Sequence, residues 1–405
     1  MKLTSRVSLL AGLLSITLLG GCASVTQPVI DWFEDEEVLE IRNLTPIENV
    51  VDMQVQWQHD VGNGVGDYFS RLQPQVANGN VFAADRQGLV VAFDSAGEKL
   101  WQTRINEAGS FFSSGVSAKL AGGITVSAEH IWIGTEDGRL LGLNQTSGAI
   151  EKDITVAGEI IAAPSVGDGL VVVNTTAGRL FAYSIETGEE VWMHESDVPP
   201  LSLRGTSSPL VANGGVLVGT AAGKLQVNIS DSGLVAWEAT VTTPSGATEL
   251  ERIIDVDSQP LIVGANVYIV SFNGALTAVE LRSGRVVWKR EYASYRNLTV
   301  AGNRLVVSDI NGNIFALDVR NGVEMWSQST FKGRDLTSGV MFGKYIAFGD
   351  NFGVVHLVDP IDGSLVSRKT LGNDKDERFF APGVVANNIL YMQNAKGTLF
   401  ALGSE

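Results

Sequence analysis

The sequence predicts an all-β protein: an eight-bladed β-propeller of four-stranded antiparallel blades, closed by pairing of its N- and C-terminal segments. Three observations predict this fold. One phrase of about 15 residues recurs along the chain, its copies are spaced like propeller blades, and the two chain ends carry complementary parts of one copy. With 44% apolar and 18% charged residues among 405, the composition is typical of a packed globular protein.

The recurring phrase has a glycine at its start, an aliphatic residue two positions on, a second glycine ten on and tryptophan fourteen on. Complete copies span residues 178–192, 223–237, 274–288 and 312–326. The copy at 88–101 is one residue shorter, and those at 138–152 and 353–367 keep both glycines but lack the tryptophan. An eighth copy starts at Gly397 and reaches the end of the chain before its tryptophan.

Each copy has the local chemistry of a strand, a tight turn and a second strand. Its apolar residues alternate, and an Asn-Gly, Asp-Gly, Ser-Gly or Thr-Gly pair supplies the positive φ that a tight hairpin needs. The residue four positions after the opening glycine is small in six of eight copies, and large and small residues alternate on packed blade faces. A further apolar hairpin precedes each copy, so each unit is expected to hold about four short strands.

The spacing of the copies and the chain ends together predict a closed ring. Opening glycines are 38 to 51 residues apart, which is the length of a four-stranded blade. Trp57, in the segment VVDMQVQW, supplies the tryptophan that the eighth copy lacks, so residues 53–57 are predicted to form the outermost strand of the last blade. An open solenoid would also explain the repeats, but it needs capping units at both ends, whereas these ends complement each other.

The N-terminal segment is predicted to be a lipoprotein leader at residues 1–21, followed by a lipidated acidic tether at 22–48 and the propeller at 49–405. Lys2 and Arg6 precede a thirteen-residue apolar run, too short to span a bilayer, and Leu19-Gly20-Gly21-Cys22 resembles the lipobox of bacterial lipoproteins. Cys22 is therefore the predicted lipidation site; an ordinary signal peptide with a chance cysteine is the alternative. Ala23, by resemblance to lipoproteins of Gram-negative bacteria, favours the periplasmic face of the outer membrane.

Composition and motifs argue against several functions. The formal charge is −16, and −18 without the leader, so nucleic acid is not an expected partner. Cys22 is the only cysteine, which excludes an internal disulfide or a cysteine-based zinc site. The four histidines fall at unrelated repeat positions without metal-ligand spacing, and no nucleophile elbow or phosphate loop is present. No catalytic residue, metal or cofactor is predicted.

The repeats resemble those of the pyrroloquinoline-quinone dehydrogenases, whose eight blades also interlock through tryptophan. That family is expected to hold its cofactor under adjacent cysteines and to coordinate calcium. This sequence has no second cysteine and no acidic cluster with calcium-ligand spacing, so the chemistry does not carry over. A quinoprotein-like enzyme with an unrecognised cofactor remains the alternative function.

Lipobox, acidic tether and eight repeats together resemble, over the full length, the B-subunit lipoproteins of the outer-membrane β-barrel assembly machinery, the BamB family. The resemblance includes Pro200-Leu201-Ser202-Leu203-Arg204-Gly205-Thr206 and Asp255-Val256-Asp257. It implies a non-enzymatic periplasmic scaffold that docks onto the POTRA domains of the barrel-inserting subunit and assists folding and insertion of β-barrel proteins. It also implies lipid anchoring. Contact with unfolded outer-membrane proteins, by pairing with a blade edge, is a further hypothesis that the sequence leaves open. The partner-binding candidates that it implies are Leu201, Leu203, Arg204, Asp255 and Asp257.

The residues themselves add a topological argument. Both segments are extra lengths at the same point of consecutive repeats, so they are expected to project from one face of adjacent blades. Residues spaced by two share a face when extended, as Leu201 and Leu203 would, and as Asp255 and Asp257 would. The alternative is that the leucines fold onto their own blade and the aspartates serve turn chemistry. The insertion at 110–119 could contact a partner or cover an end of the channel; both interpretations stay open.

Overall fold

The computed structural model describes residues 40–106, 118–203, 205–372 and 375–404. The chain divides into two units, residues 1–46 and residues 47–405, and the architecture below is that of the second. Cys22, the leader, most of the tether, Arg204 and most of the 110–119 insertion lie outside the described residues. Among the helices described, none has the length and apolar character needed to cross a membrane.

Thirty-two described strands form eight four-stranded antiparallel sheets arranged as blades in a ring, which confirms the predicted fold class. The first strand of each blade is innermost, and blades are numbered here from the N-terminus. Blade 1 comprises β2 (Gln75–Ala77), β3 (Asn80–Ala84), β4 (Leu89–Asp94) and β5 (Lys99–Arg104), and blade 2 comprises β6 (Leu120–Val126), β7 (His130–Thr135), β8 (Arg139–Asn144) and β9 (Ile150–Thr155). Blade 3 comprises β10 (Ser165–Gly167), β11 (Leu170–Asn174), β12 (Arg179–Ser184) and β13 (Glu190–Glu195), and blade 4 comprises β14 (Leu210–Ala212), β15 (Gly215–Gly219), β16 (Lys224–Ile229) and β17 (Val235–Thr240).

The second half of the ring repeats the pattern and takes its final strand from the N-terminal end. Blade 5 comprises β18 (Leu261–Val263), β19 (Asn266–Val270), β20 (Leu276–Glu280) and β21 (Val286–Arg290), and blade 6 comprises β22 (Thr299–Ala301), β23 (Arg304–Ser308), β24 (Ile314–Asp318) and β25 (Glu324–Gln328). Blade 7 comprises β26 (Val340–Phe342), β27 (Tyr345–Gly349), β28 (Val354–Val358) and β29 (Leu365–Thr370), and blade 8 comprises β30 (Val384–Ala386), β31 (Ile389–Gln393), β32 (Thr398–Ser404) and β1 (Met53–Asp60). A 3₁₀ helix, Lys375–Glu377, lies between blades 7 and 8.

The ring closes as the sequence predicts. β1 pairs antiparallel with β32 as the outermost strand of blade 8, and Trp57 lies opposite Ala401. The same register recurs elsewhere: Trp192 lies opposite Ala182 and Trp326 opposite Ala316. In five blades a small residue therefore leaves room for the indole on the next strand, whereas in blade 4 Trp237 lies opposite Val227. Closure pairs the two chain ends, which removes the free ends that an open stack of blades would expose.

The hydrophobic core lies between blades rather than at the centre of the ring. Eight clusters of buried residues each join two neighbouring blades, one cluster for each junction among the described residues. The aliphatic residue two positions after each opening glycine is at most 2% exposed in all eight copies. These residues are Val90, Leu140, Leu180, Leu225, Leu276, Ile314, Val355 and Leu399.

Each repeat tryptophan contacts the turn glycine of the following blade. The Trp192 Nε1–H donates to the backbone carbonyl of Ser230 at 2.6 Å, and a Cβ on Gly233 would lie 2.7 Å from the indole. The equivalent pairs are Trp57 with Gly97, Trp101 with Gly148, Trp237 with Gly284, Trp288 with Gly322, and Trp326 with Gly363. The second glycine of the phrase is thus required for two reasons: its φ is positive, and the indole ring of the preceding blade lies against it.

The two copies without tryptophan have separate explanations. In blade 2, Lys152 takes the position and its Nζ donates to the Glu186 carbonyl at 2.7 Å, one residue after the carbonyl that matches the indole acceptors of most other blades. In blade 7, Ser367 takes it, because the neighbouring blade 8 has chain ends where other blades have a turn glycine. The Ser367 Oγ instead donates to the Val51 carbonyl at 2.6 Å.

A polar side chain stabilises the turn that precedes the first strand of every copy, a feature that the sequence analysis missed. It lies three residues before the opening glycine and accepts a hydrogen bond from the backbone N–H four residues on, at 2.8 to 3.3 Å. The eight residues are Asp85, Thr135, Thr175, Thr220, Ser271, Asp309, Asp350 and Asn394. All are short side chains that can bond their own turn, as in Asx and Ser/Thr turns.

Candidate partner-binding site

The leucine segment lies in the connection between β13 and β14, and the aspartates lie between β17 and β18. Both connections run from the outer strand of one blade to the inner strand of the next, so they emerge on the same face of the ring. We call residues 200–206 the docking loop. Leu201 is 43% exposed and Leu203 is partly buried, while Arg204 lies outside the described residues.

Asp255 and Asp257 are buried beneath the docking loop. They are 2% and 4% exposed, so these carboxylates do not project outward as the sequence argument expected. Asp255 Oδ2 accepts the backbone N–H of Leu203 in a short hydrogen bond. A Cβ on Gly205 would lie 2.1 Å from Asp257 Oδ2, so only glycine allows the loop to pass this close. The two segments therefore contact each other, and the aspartates fix the path of the leucines.

Burial also raises the pKa of both aspartates. Desolvation, with a further contribution from the neighbouring Asp257 charge, raises the pKa of Asp255 to about 7, although the Leu203 N–H opposes this. Burial raises the pKa of Asp257 as well, against the attraction of Arg71. Asp255 Oδ1 is buried and has no partner among the described residues, which adds to the cost of its charged form.

Arg71 is a residue of this site that the sequence analysis missed. It lies in the connection from β1 to β2, on the other side of the ring, yet its Nη1 donates to the backbone carbonyls of Thr206 and Asp257, each at 2.9 Å. Its own N–H bonds the Ala121 carbonyl at 2.9 Å. Arg71 thus ties the connection between blades 8 and 1 to the docking loop and to the segment beneath it. Arg71 lies outside the recurring phrase, so the repeats do not identify it. It reaches the docking loop only because the ring is closed.

Exposed apolar side chains form a second surface, on the outer strands of the blades. The residue before the tryptophan is apolar and exposed in four blades: Leu100 (49%), Val191 (47%), Val287 (38%) and Met325 (43%). On blade 7 the equivalent Val366 is only 5% exposed. There the chain's own residues 49–51 run beside β29, and the Val50 N–H donates to the Val366 carbonyl at 2.9 Å.

The histidines do not converge on a metal site. Within the described ranges, no three His, Cys, Asp or Glu residues are placed to share a metal ion. His59 and His194 lie opposite Leu399 and Leu180, so these two occupy equivalent repeat positions and the expectation of unrelated positions was wrong for them. His356 is fully buried and bonds Asp350 at 2.7 Å. Burial lowers the pKa of His356, although the hydrogen bond and charge of Asp350 oppose that shift.

Comparisons with known proteins agree on one family. The family model described as outer membrane protein assembly factor BamB matches residues 86–328. Outer membrane protein assembly factor BamB of Alteromonas naphthalenivorans is 45% identical over 402 residues, covering 96% of this chain and 95% of that protein. The crystal structure of BamB from Moraxella catarrhalis superposes with a TM-score of 0.77 at 26% identity, covering 87% of this chain and all of that one. A europium-containing methanol dehydrogenase gives a TM-score of 0.71 at 11% identity, covering 91% of this chain and 100% of that one, a likeness of fold alone.

Proposed function

The chain belongs to the family of outer membrane protein assembly factor BamB, and from this we propose that it is a non-enzymatic scaffold lipoprotein of the outer-membrane protein assembly complex. Its role is to assist folding and insertion of β-barrel proteins. The observation that carries the proposal is the 45% identity over nearly the whole length to a protein named as such a factor. A quinoprotein-like enzyme is not favoured, since the dehydrogenase shares the fold at only 11% identity.

The docking loop is the proposed contact with the POTRA domains of the barrel-inserting subunit. Leu201 presents an exposed apolar side chain and Leu203 a partly exposed one, and apolar anchors of this kind dominate many interfaces. Arg204 is carried over from the family resemblance as the polar component. Asp255 and Asp257 have a positioning role. They are buried beneath Leu203 and Gly205, where they hold the docking loop in place rather than contact the partner.

Leu201→Ala and Leu203→Ala test this contact in the full lipoprotein. Each is expected to lower co-purification of the barrel-inserting subunit about fivefold or more, which corresponds to a loss of about 1 kcal/mol or more of binding free energy. The melting temperature should stay unchanged, because the Leu203 hydrogen bond uses the backbone. Leu234→Ala is the matched control, since Leu234 is 66% exposed on a turn at the opposite face. Full co-purification by both loop variants would remove the assignment.

Asp255 separates positioning from direct contact. Asp255→Ala removes the acceptor of the Leu203 N–H and is expected to weaken partner binding. Asp255→Asn keeps an oxygen acceptor without the charge, so it should restore binding if the carboxylate only holds the loop. If Asn is as defective as Ala, the charge itself contacts the partner and the positioning role is wrong.

The anchor and location follow from the sequence. We propose that Cys22 is lipidated, that residues 1–21 are removed and that residues 22–48 tether the propeller at 49–405 to the periplasmic face of the outer membrane. Acyl chains contribute about 0.8 kcal/mol per buried methylene, enough for stable anchoring with several chains. Cys22→Ala should move the protein from the membrane to the soluble fraction. A variant that stays membrane-bound would contradict the anchor.

The exposed outer strands support a second contact, with unfolded outer-membrane proteins. An extended client segment would add a fifth strand to a blade, along the edge that residues 49–51 cover on β29, and its apolar residues would cover those before the tryptophans. Val191→Lys with Met325→Lys is expected to reduce cross-linking to an unfolded β-barrel protein. Leu234→Lys, exposed but on a turn, should not. Equal cross-linking by the two variants would count against edge pairing.

A further inference from the structure

A polar cavity lies in the central channel, bounded by the inner segments of several blades. Its volume is about 250 Å³. Amide and hydroxyl side chains from five blades and the segments that enter them line it: Gln73, Gln75, Thr125, Ser165, Gln259 and Asn297. Phe69 and Phe380 also line it and contact each other edge-to-face at 5.9 Å. The cavity has room for several waters and many hydrogen-bonding groups.

The charge of this cavity is opposite to that of the protein. Arg71 and Arg296 line it, and none of its described lining residues is Asp or Glu. The whole chain carries 45 acidic against 29 basic side chains. Two cations without a lining carboxylate in such a chain make the cavity a local site of positive potential, strengthened by the low dielectric of its walls.

Arg71 has no ion pair with any described residue. Both guanidinium hydrogen bonds that it makes go from Nη1 to backbone carbonyls, which carry no net charge. Its other donors have no protein acceptor within the described ranges. Burial lowers the pKa of Arg71, and the nearby Arg296 charge lowers it further, against Asp257 and Tyr295. Arg71 is partly exposed to the cavity, and a cation partly removed from water next to a second cation is unfavourable unless an anion balances it.

Arg296 is only partly balanced. It is 6% exposed, its Nη1 donates to the Phe380 carbonyl at 3.0 Å and its Nη2 to Asp335 Oδ1 at 2.8 Å. That oxygen also accepts the Tyr295 hydroxyl at 2.9 Å, and the Asp335 side chain is 48% exposed. Arg296 Nε is buried and has no acceptor among the described residues.

We propose that the channel cavity binds an oxyanion, a carboxylate or a phosphate, held by Arg71 and Arg296. Guanidinium groups recognise both kinds of oxyanion through paired N–H donors, and the amides and hydroxyls of the wall supply the remaining hydrogen bonds. The anion is either a free small molecule or the acidic side chain of a bound polypeptide. Because Arg71 also bonds the carbonyls of Thr206 and Asp257, occupancy would bear on the docking loop. The site is independent of the proposed function.

Thermal unfolding at constant ionic strength tests the site on the folded, soluble protein. Citrate and inorganic phosphate are expected to raise the melting temperature in proportion to the logarithm of their concentration above Kd, by about 3.5 °C at a hundredfold excess. Arg71→Gln should weaken the apparent affinity at least tenfold. Arg285→Gln is the matched control, since Arg285 forms a surface pair with Glu280 and its side chain is 67% exposed. Equal shifts in the wild type and Arg71→Gln would overturn the proposal.

Two further measurements cover folding defects and the source of the anion. If Arg71→Gln unfolds, a crystal of the wild type soaked in selenate should show anomalous density beside Arg71 and Arg296; density absent from the cavity overturns the site. Hexaglutamate that competes with phosphate identifies a polypeptide source. Phosphate binding without such competition identifies a free anion.

Discussion

Gly233→Ala, at the turn of blade 4 that contacts Trp192, isolates the contribution of the tryptophan contact to stability. Gly233 has φ of +70° and a new Cβ would meet the Trp192 ring at 2.7 Å. Gly188 occupies the same turn position in blade 3 with φ of +78°, but it faces Lys152 and Ile154, and its nearest neighbour would lie at 3.6 Å. The two substitutions therefore share the backbone cost and differ in the ring contact.

The magnitudes follow from these two terms. A left-handed alanine costs about 1–2 kcal/mol, which is the whole effect expected for Gly188→Ala. Overlap with a packed side chain adds about 1–3 kcal/mol, because Trp192 is 7% exposed and cannot move freely, so Gly233→Ala should cost about 2–5 kcal/mol. For a domain of about 360 residues, each kcal/mol lowers the melting temperature by roughly 1.3 °C.

The assay is unfolding of the soluble protein in guanidinium, followed by circular dichroism and by tryptophan fluorescence. Agreement of the two probes tests whether the ring unfolds in one step, as the comparison requires. Gly233→Ala is expected to unfold at clearly lower denaturant than Gly188→Ala. Equal midpoints for the two variants would refute the idea that the indole, rather than the turn conformation, makes the second glycine of the phrase necessary.

Two further predictions concern the docking loop and the covered edge. Burial raises the pKa of Asp255 from 3.8 to about 7, so the folded state keeps this proton after the unfolded state has lost it. The stabilisation from this group is therefore full below about pH 4 and declines as the pH rises to about 7. Asp255→Asn should flatten the pH dependence of the unfolding midpoint over that range. An unchanged pH profile would contradict the burial argument. Val50→Pro removes the N–H that bonds the Val366 carbonyl at a cost of about 1 kcal/mol, whereas Val50→Ala keeps it, so only the proline variant should show faster amide exchange in β29 and concentration-dependent self-association.

The fold could be predicted from the sequence because every blade repeats the same physical requirements. The alternation of the strands, the turn glycine and the buried aliphatic residue are local, and Trp57 identified the closing strand because one copy lacked its tryptophan. The sequence shows that blade 7 lacks the tryptophan but not why, since the reason is that the neighbouring blade has chain ends in place of a turn. It is explained only when Ser367 is seen beside Val51.

The candidate site was predicted less completely. Sequence position placed the leucines and aspartates on adjacent connections, but nothing in Asp-x-Asp distinguishes an exposed pair from a buried one. Arg71 and Arg296 carry no motif and are separated by more than two hundred residues, so only the closed ring brings them to one cavity. Their chemistry depends on tertiary neighbours rather than on spacing, which is why pattern analysis did not find them.

The pairing of β1 with β32 also constrains how the molecule reaches its native state. Thr398 bonds Asp60 across 338 positions, so the first strand to be synthesised must wait for the last before it gains a partner. Contacts of such long range slow folding, and during that delay β1 presents an unpaired edge to other chains. Once formed, the same pairing is expected to slow unfolding. Blades 1 and 8 cannot separate until β1 leaves β32, the one strand pair of blade 8 that no turn connects.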